Sequence, residues 1–258
     1  MTLPFPRRVL IVASLGWVLA ANTAAIADEA VDGANRIDGL LKKSEHLYRT
    51  RDRAGRAERA LTLYHQILQI DPRHEEALWK LSRSFHWQGE NAPQTQDKKA
   101  AFRSAVQYAK QAISIQPASI GGHLMLAMAY GRIAEMEGIM KALLLIAPIK
   151  SEIRTVLQLD PKNDVAHHLL GVFYRKIPRL LGGSIEKSLR YLHQATRENP
   201  SRTRHYLELA HTYLKQNKRD EAIAQLEFLM SIREPEHPVQ TKLDRQNALG
   251  LLAALRAK

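Results

Sequence analysis

Residues 206–235 read YLELAHTYLKQNKRDEAIAQLEFLMSIREP, and their spacing decides the fold. Tyr206, Leu209, Ala210 and Tyr213 fall at i, i+3, i+4 and i+7, on one face of a helix, with a small residue where a neighbouring helix can come close. Ala222 and Leu229, seven apart, mark a second helix. Pro235 closes it, because proline has no N–H to continue the ladder. The stretch therefore reads as a helical hairpin.

The same hairpin recurs upstream. Its first-helix quartets are Leu78, Leu81, Ser82, Phe85; His123, Leu126, Ala127, Tyr130; and His167, Leu170, Gly171, Tyr174. The second helices that follow carry Ala105, Ala112, Pro117; Ile149, Val156, Pro161; and Ser188, Ala195, Pro200. A still earlier copy keeps Ala60, Tyr64, Ile67 and Pro72 behind a degenerate first helix containing Leu47. The expected organisation is an all-α solenoid of five hairpins at about residues 41–74, 75–119, 120–163, 164–202 and 203–236, preceded by a lead segment, 28–40. A capping helix over 239–258 would present Leu243, Leu249, Leu252 and Leu255 as its apolar positions.

With Asp71-Pro72 and Asp160-Pro161 closing two units, the pattern resembles the tetratricopeptide repeat (TPR), a helix-turn-helix of about 34 residues. The quartet leucines at 81, 126, 170 and 209 are 45, 44 and 39 apart, so units two to four carry extra residues in the hairpin turn. This irregular spacing, with Asp160-Pro-Lys-Asn-Asp-Val-Ala-His-His-Leu-Leu-Gly and Leu181-Gly-Gly-Ser-Ile-Glu-Lys-Ser-Leu-Arg, resembles the TPR-like domain of the regulator of microtubule dynamics family and its exported bacterial relatives. That resemblance implies a helical, non-enzymatic protein. A weaker likeness to periplasmic TPR components of substrate-binding-protein-dependent transporters would imply apolar or organic-acid ligands. The second insertion, Ile139-Met-Lys-Ala-Leu-Leu-Leu-Ile-Ala-Pro148, is apolar. It reads as a longer buried helix, a pocket wall or a partner-docking surface.

The 258 residues are 45% hydrophobic and 25% charged, enough to bury a core, and lack cysteine, which excludes disulfide frameworks and thiol chemistry. Only 6% are aromatic, which suits helices better than a strand-rich sandwich. Residues 1–27 read as a secretory signal: Arg7 and Arg8, an apolar run from Val9 to Ala21, and Ala25-Ile26-Ala27 as a cleavage site. That run is shorter than the roughly 20 residues a spanning helix needs. The chain is therefore expected to be exported, periplasmic in a Gram-negative host, and to start near Asp28. Lys plus Arg number 38 against 26 acids, a net +12 that favours acidic proteins, anionic headgroups or anionic small ligands. Export removes nucleic acid from the list.

In TPR families the first helices line the inner groove. Here the positions after each large residue are Trp79, Leu124, His168 and Leu207, and those after each small residue are Arg83, Met128, Val172 and His211. Beyond the aromatics come Trp87, Arg132, Arg175, Lys176 and Lys215. The expected groove has an apolar floor of Trp79, Leu124, Met128, Val172 and Leu207, and a basic edge of Arg83, Arg132, Arg175, Lys176 and Lys215. It suits an acidic or amphipathic protein segment. The alternatives are a carrier of an amphipathic anion, its pocket roofed by Ile139–Pro148 and gated by Trp79 and Trp87, and attachment to an anionic membrane surface. The Asn of a chaperone-tail clamp is missing at Arg83, Met128, Val172 and His211.

No enzyme chemistry is expected. Neither His167 with His168 nor His205 with His211 has the i, i+4 spacing that puts two metal ligands on one helix face, so no metal or cofactor is predicted. Ser184-Ile-Glu-Lys187 matches the Ser-x-x-Lys of serine acylases but lacks their Lys-Thr-Gly, and after Gly182-Gly183 it reads as a helix cap.

Overall fold

The computed structural model describes residues 31–233 and 235–257, so the export signal read at 1–27 lies outside the described residues. Every regular element among the described residues is helical, as expected from the periodicity. The helices are α1 over residues 31–49, α2 (Arg56–Ile70), α3 (Glu75–Asn91), α4 (Thr95–Ile115), α5 (Ile120–Met136), α6 (Ile139–Leu159), α7 (Asp164–Lys176), α8 (Ile185–Glu198), α9 (Thr203–Leu214), α10 (Arg219–Ser231) and α11 (Pro238–Arg256). From α3 to α10, first and second helices alternate: each first helix packs on its own second helix and on the next first helix. The described part of the lead segment is not separate from the first unit. Residues 31–49 form one helix, and Ile37 and Leu40 pack with Tyr48, Tyr64 and Ile67.

The repeat markers are where the hairpins close. Ser82, Ala127, Gly171 and Ala210 are buried, and so are the second-helix markers Ala60, Ala105, Ile149, Ser188 and Ala222. At Gly171 the approach is tight: a Cβ built there would lie 2.5 Å from Leu192 Cγ and 3.2 Å from the Ser188 carbonyl oxygen. Pro72, Pro117, Pro161 and Pro200 each stand two residues past a second helix; the residue before each of the first three is extended, and Asn199 before Pro200 has also left the helical conformation. Two residues later, His74, Ser119 and Asn163 cap the next helix by accepting from the backbone N–H of Ala77, Gly122 and Ala166.

A further tie secures three of these joints. His123 Nε2 and His167 Nε2 contact the carbonyl oxygens of Pro117 and Pro161 at 2.9 Å, and the Tyr206 hydroxyl donates to Pro200 at 3.1 Å. The large-residue slot thus reaches back to hold the turn six residues upstream. Leu78 fills the slot in the second unit without a polar tip.

The extra residues in units two and three lengthen helices. There α4 and α6 run 21 residues each, whereas α9 and α10 run 12 and 13. Only Ala92–Gln94 and Glu137–Gly138 link these longer hairpins, with Gly138 at φ 84°, a left-handed turn that a side chain would strain. In the fourth unit the extra residues form a short 3₁₀ turn, Arg179–Leu181. The apolar insertion does not form a buried helix. Leu145 and Ile149 pack inward, but Ile139, Met140 and Leu144 are each 72% exposed.

At the far end α11 packs on α9 and α10, in the place a sixth first helix would take. Its buried face is Val239, Thr241, Asp244, Ala248 and Leu252; Leu243 and Leu255 are half-buried and Leu249 is exposed, which corrects the apolar face expected of the cap. Polar residues sit inside because α9 satisfies them: Thr203 donates to Asp244 at 2.8 Å and Arg204 pairs with it at 2.9 Å. The array curves until its ends touch, with Lys242 of α11 donating to Asp52 beyond α1 at 3.4 Å.

Candidate partner-binding groove

The inner face is built from α1, α3, α5, α7, α9 and α11. Two residues of the expected floor are not on its surface: Leu124 is 8% and Leu207 1% exposed, each enclosed in a core cluster. Close packing of consecutive first helices covers this position from both sides. Trp79 lies half-buried against the start of α5, where a Cβ at Gly121 would fall 2.5 Å from the indole. Met128 and Val172 remain half-buried on the face.

The basic edge exists but is not free. Arg83 pairs with Glu45 of α1 at 2.7 Å and stacks its guanidinium 3.8 Å above Tyr48, while Lys80 reaches the same carboxylate at 2.9 Å. Arg132 pairs with Glu90 and Glu135, and Glu135 also takes Lys176 from the next unit. Arg175 pairs with Glu208, where both side chains are nearly buried. Arg202 joins Asp164 at 2.8 Å to Glu236 at 2.9 Å. Of the expected edge, Lys215 alone has no acid within 4 Å among the described residues.

These pairs make a ladder from helix to helix. Burial would raise the Glu45 carboxyl, but the hydrogen bonds and charges of Arg83 and Lys80 outweigh it and hold it at about 2. The acids were absent from the expected site, although some had a signal. Glu45 follows the buried Ser44 as Arg83 follows Ser82, and Glu135 and Glu208 sit one helical turn from Arg132 and Arg204. Pairing between units depends on how the hairpins rotate, which a repeat pattern does not specify.

His168 faces His205 across α7 and α9, their Nδ1 atoms 3.0 Å apart, and His205 Nε2 lies 2.9 Å from Asp164. With both rings neutral, the chain is satisfied when His168 donates to His205 and His205 donates to Asp164. Burial, assisted by the opposing His205 and by Arg204, Arg202 and Arg175, pushes His168 well below its ordinary 6.5. Burial also lowers His205, against the pull of Asp164. His211 is half-buried and is lowered by burial as well.

The carrier pocket is not assembled. Trp79 lies at the first turn of α5 and Ile139 follows its last, and Trp87 instead carries the Arg51 guanidinium 4.5 Å from its ring at the α1 end. Two open hollows mark the surface: one along α6 and one between α1 and α3, the latter lined by Asp38, Leu41, Lys42, Glu45, Glu76 and Lys80 among others. No group of three or more metal-ligating side chains is gathered among the described residues. Ser184 caps α8 by accepting from the Lys187 N–H.

A family model described as regulator of microtubule dynamics protein 1-3 matches residues 40–181. Regulator of microtubule dynamics protein 1 of Mus musculus is 26% identical over 264 residues, spanning 95% of this chain and 82% of its own. Among solved structures, a thermophilic TPR protein of Thermus thermophilus aligns with a TM-score of 0.65 at 23% identity, over 83% of this chain and 98% of that one. A widely conserved type IV pilus biogenesis factor aligns at 0.56 and 17%, over 85% and 88%. Both structures show the TPR solenoid fold.

Proposed function

Because this chain belongs to the regulator of microtubule dynamics protein 1-3 family, we propose that it is a non-enzymatic adaptor whose inner groove takes a segment of a partner protein. The observation that carries this reading is the charge ladder. Arg132, Glu135 and Lys176 are held in fixed positions across two units, beside the half-buried Met128 and Val172. A partner segment with alternating charge and a few apolar side chains would meet groups already ordered, so little side-chain entropy is lost on binding. Lys215, at the end of the line and without an acid within 4 Å among the described residues, supplies the cation that orients it.

We further read residues 1–27 as a cleaved export signal, so the protein recovered from cells should begin near Asp28 on N-terminal sequencing. The microtubule role in the relatives' name stays with them under this reading, since export carries the chain away from cytosolic filaments. A small-ligand carrier finds less support, because both described hollows are open and carry charged linings.

The test is site-specific photo-cross-linking from Met128 and Val172 in envelope extract, with exposed Gln111 of α4 as the outward control. One partner captured at both inner positions and not at Gln111 is expected. In the double variant Met128→Ser with Val172→Ser, its capture should drop about tenfold, as loss of two apolar contacts implies. Equal capture from the control position, or full capture by the double variant, overturns the groove reading.

A further inference from the structure

We propose that the hairpin edge of the third and fourth units is a docking surface for an anionic lipid bilayer. The observation is an apolar tip that the solenoid leaves uncovered. Ile139, Met140 and Leu144 are 72% exposed at the start of α6, and in the next hairpin turn Leu180 is fully exposed and Leu181 43%. Side chains of this size are ones that burial ordinarily stabilises. Leu145 and Ile149 already bind α6 to the core, so the outer leucines are not needed for packing. The helix is apolar on two faces, which a single-sided solenoid helix does not require.

Charge identifies the occupant. From Ile139 to Ser151 the helix carries Lys141 and Lys150 and no acid, and the first acid, Glu152, is held by His123. Behind the tip, an open hollow of about 290 Å³ is rimmed by Lys150, Arg154, Ser151, Thr155, Gln158 and Ala147. Lys150 and Arg154, one helical turn apart on this rim, suit a phosphate, and Arg179 stands beside Leu180 on the neighbouring turn. An apolar tip backed by cations is the chemistry of an interfacial helix on acidic headgroups. A second copy of the chain is the poorer fit, since it would set Lys141, Lys150, Arg154 and Arg179 against their own equivalents. The shape is a pair of projecting turns, which enter a headgroup layer more readily than they accept a partner helix.

The experiment is flotation of the full chain with phosphatidylglycerol-containing vesicles, against pure phosphatidylcholine vesicles, across a salt series. Binding is expected only to the anionic vesicles and should weaken with salt. Met140→Ser with Leu144→Ser should reduce it about tenfold or more, as should Lys150→Glu with Arg154→Glu; all four side chains lie outside the buried core, so the circular dichroism should not change. The groove variant Met128→Ser with Val172→Ser should float as the parent does, which separates this proposal from the adaptor reading. Absence of flotation, equal flotation with neutral lipid, or unaltered flotation of both edge variants overturns it. So does sedimentation showing a dimer that the edge variants abolish, which would assign the face to a second copy.

Discussion

Gly171 and Gly131 lie on neighbouring first helices and carry opposite expectations. A Cβ at 171 meets Leu192, which is fully buried and has nowhere to retreat, whereas a Cβ at 131 meets nothing within 4 Å. Gly171→Ala should therefore destabilise by about 1–3 kcal/mol through overpacking. Gly131→Ala should stabilise by roughly 0.5–1 kcal/mol, because the unfolded chain loses freedom and the helix gains a better former. Urea unfolding of the two variants checks both signs. Gly171 was legible in the sequence, since the period puts it in the small slot of a quartet. The need for glycine at 121 was not, because it arises from the indole of Trp79 one unit away.

Between elements, the joint of α7 and α9 sets an acid limit. His168 and His205 have folded values below the ordinary 6.5, and His86, buried on Phe102 and facing Arg132, is pushed down to about 4. The unfolded chain then binds protons that the folded one refuses, so stability is complete above about pH 6.5 and declines as pH falls below it. The carboxylates act lower. Glu45, ordinarily near 4.5 and held at about 2, contributes stability that is lost as pH drops from the first value towards the second. Thermal unfolding should show a decline starting near pH 6.5 and a further one below pH 4.5. His168→Gln with His205→Gln should reduce the first, and a profile flat to pH 5 in the parent would contradict the assignment. At this scale the sequence was half readable. Quartets and second-helix markers fell on the packed faces because the 3.6 period states which residues point at a neighbouring helix. The position one residue further round was misread at Leu124 and Leu207, since its exposure depends on the rotation between units. The outward turn of Ile139, Met140 and Leu144 stands in the sequence only as one alternative beside a buried helix or a pocket wall, because periodicity records that a residue is apolar and not what covers it.

For the whole molecule, the contact of Lys242 with Asp52 departs from the one-dimensional logic of a solenoid, in which each unit meets only its neighbours. End units of an open array fray independently. Here the first and last are joined, but by an exposed ion pair worth at most about 1 kcal/mol. A double-mutant cycle of Asp52→Asn and Lys242→Gln should give a coupling in that range that shrinks in high salt. Amide exchange in α1 and α11 should rise together when either residue is replaced. A coupling of zero at low salt would mean that the ends act separately.

The inner ladder also determines where the protein's electric field lies. Lys80, Arg83, Arg132, Arg175, Lys176, Arg202 and Arg204 are matched by Glu45, Glu90, Glu135, Asp164, Glu208, Glu236 and Asp244. Without Arg7 and Arg8 of the proposed export signal, 36 Lys and Arg stand against 26 acids, and this excess of +10 comes from residues outside this set. Seen from afar, such a body is a cation whose hollow is neutral but for Lys215, and a negative surface exerts a torque on it as well as an attraction. It would land on its cation-bearing hairpin edge, with the hollow left open to whatever arrives from solution.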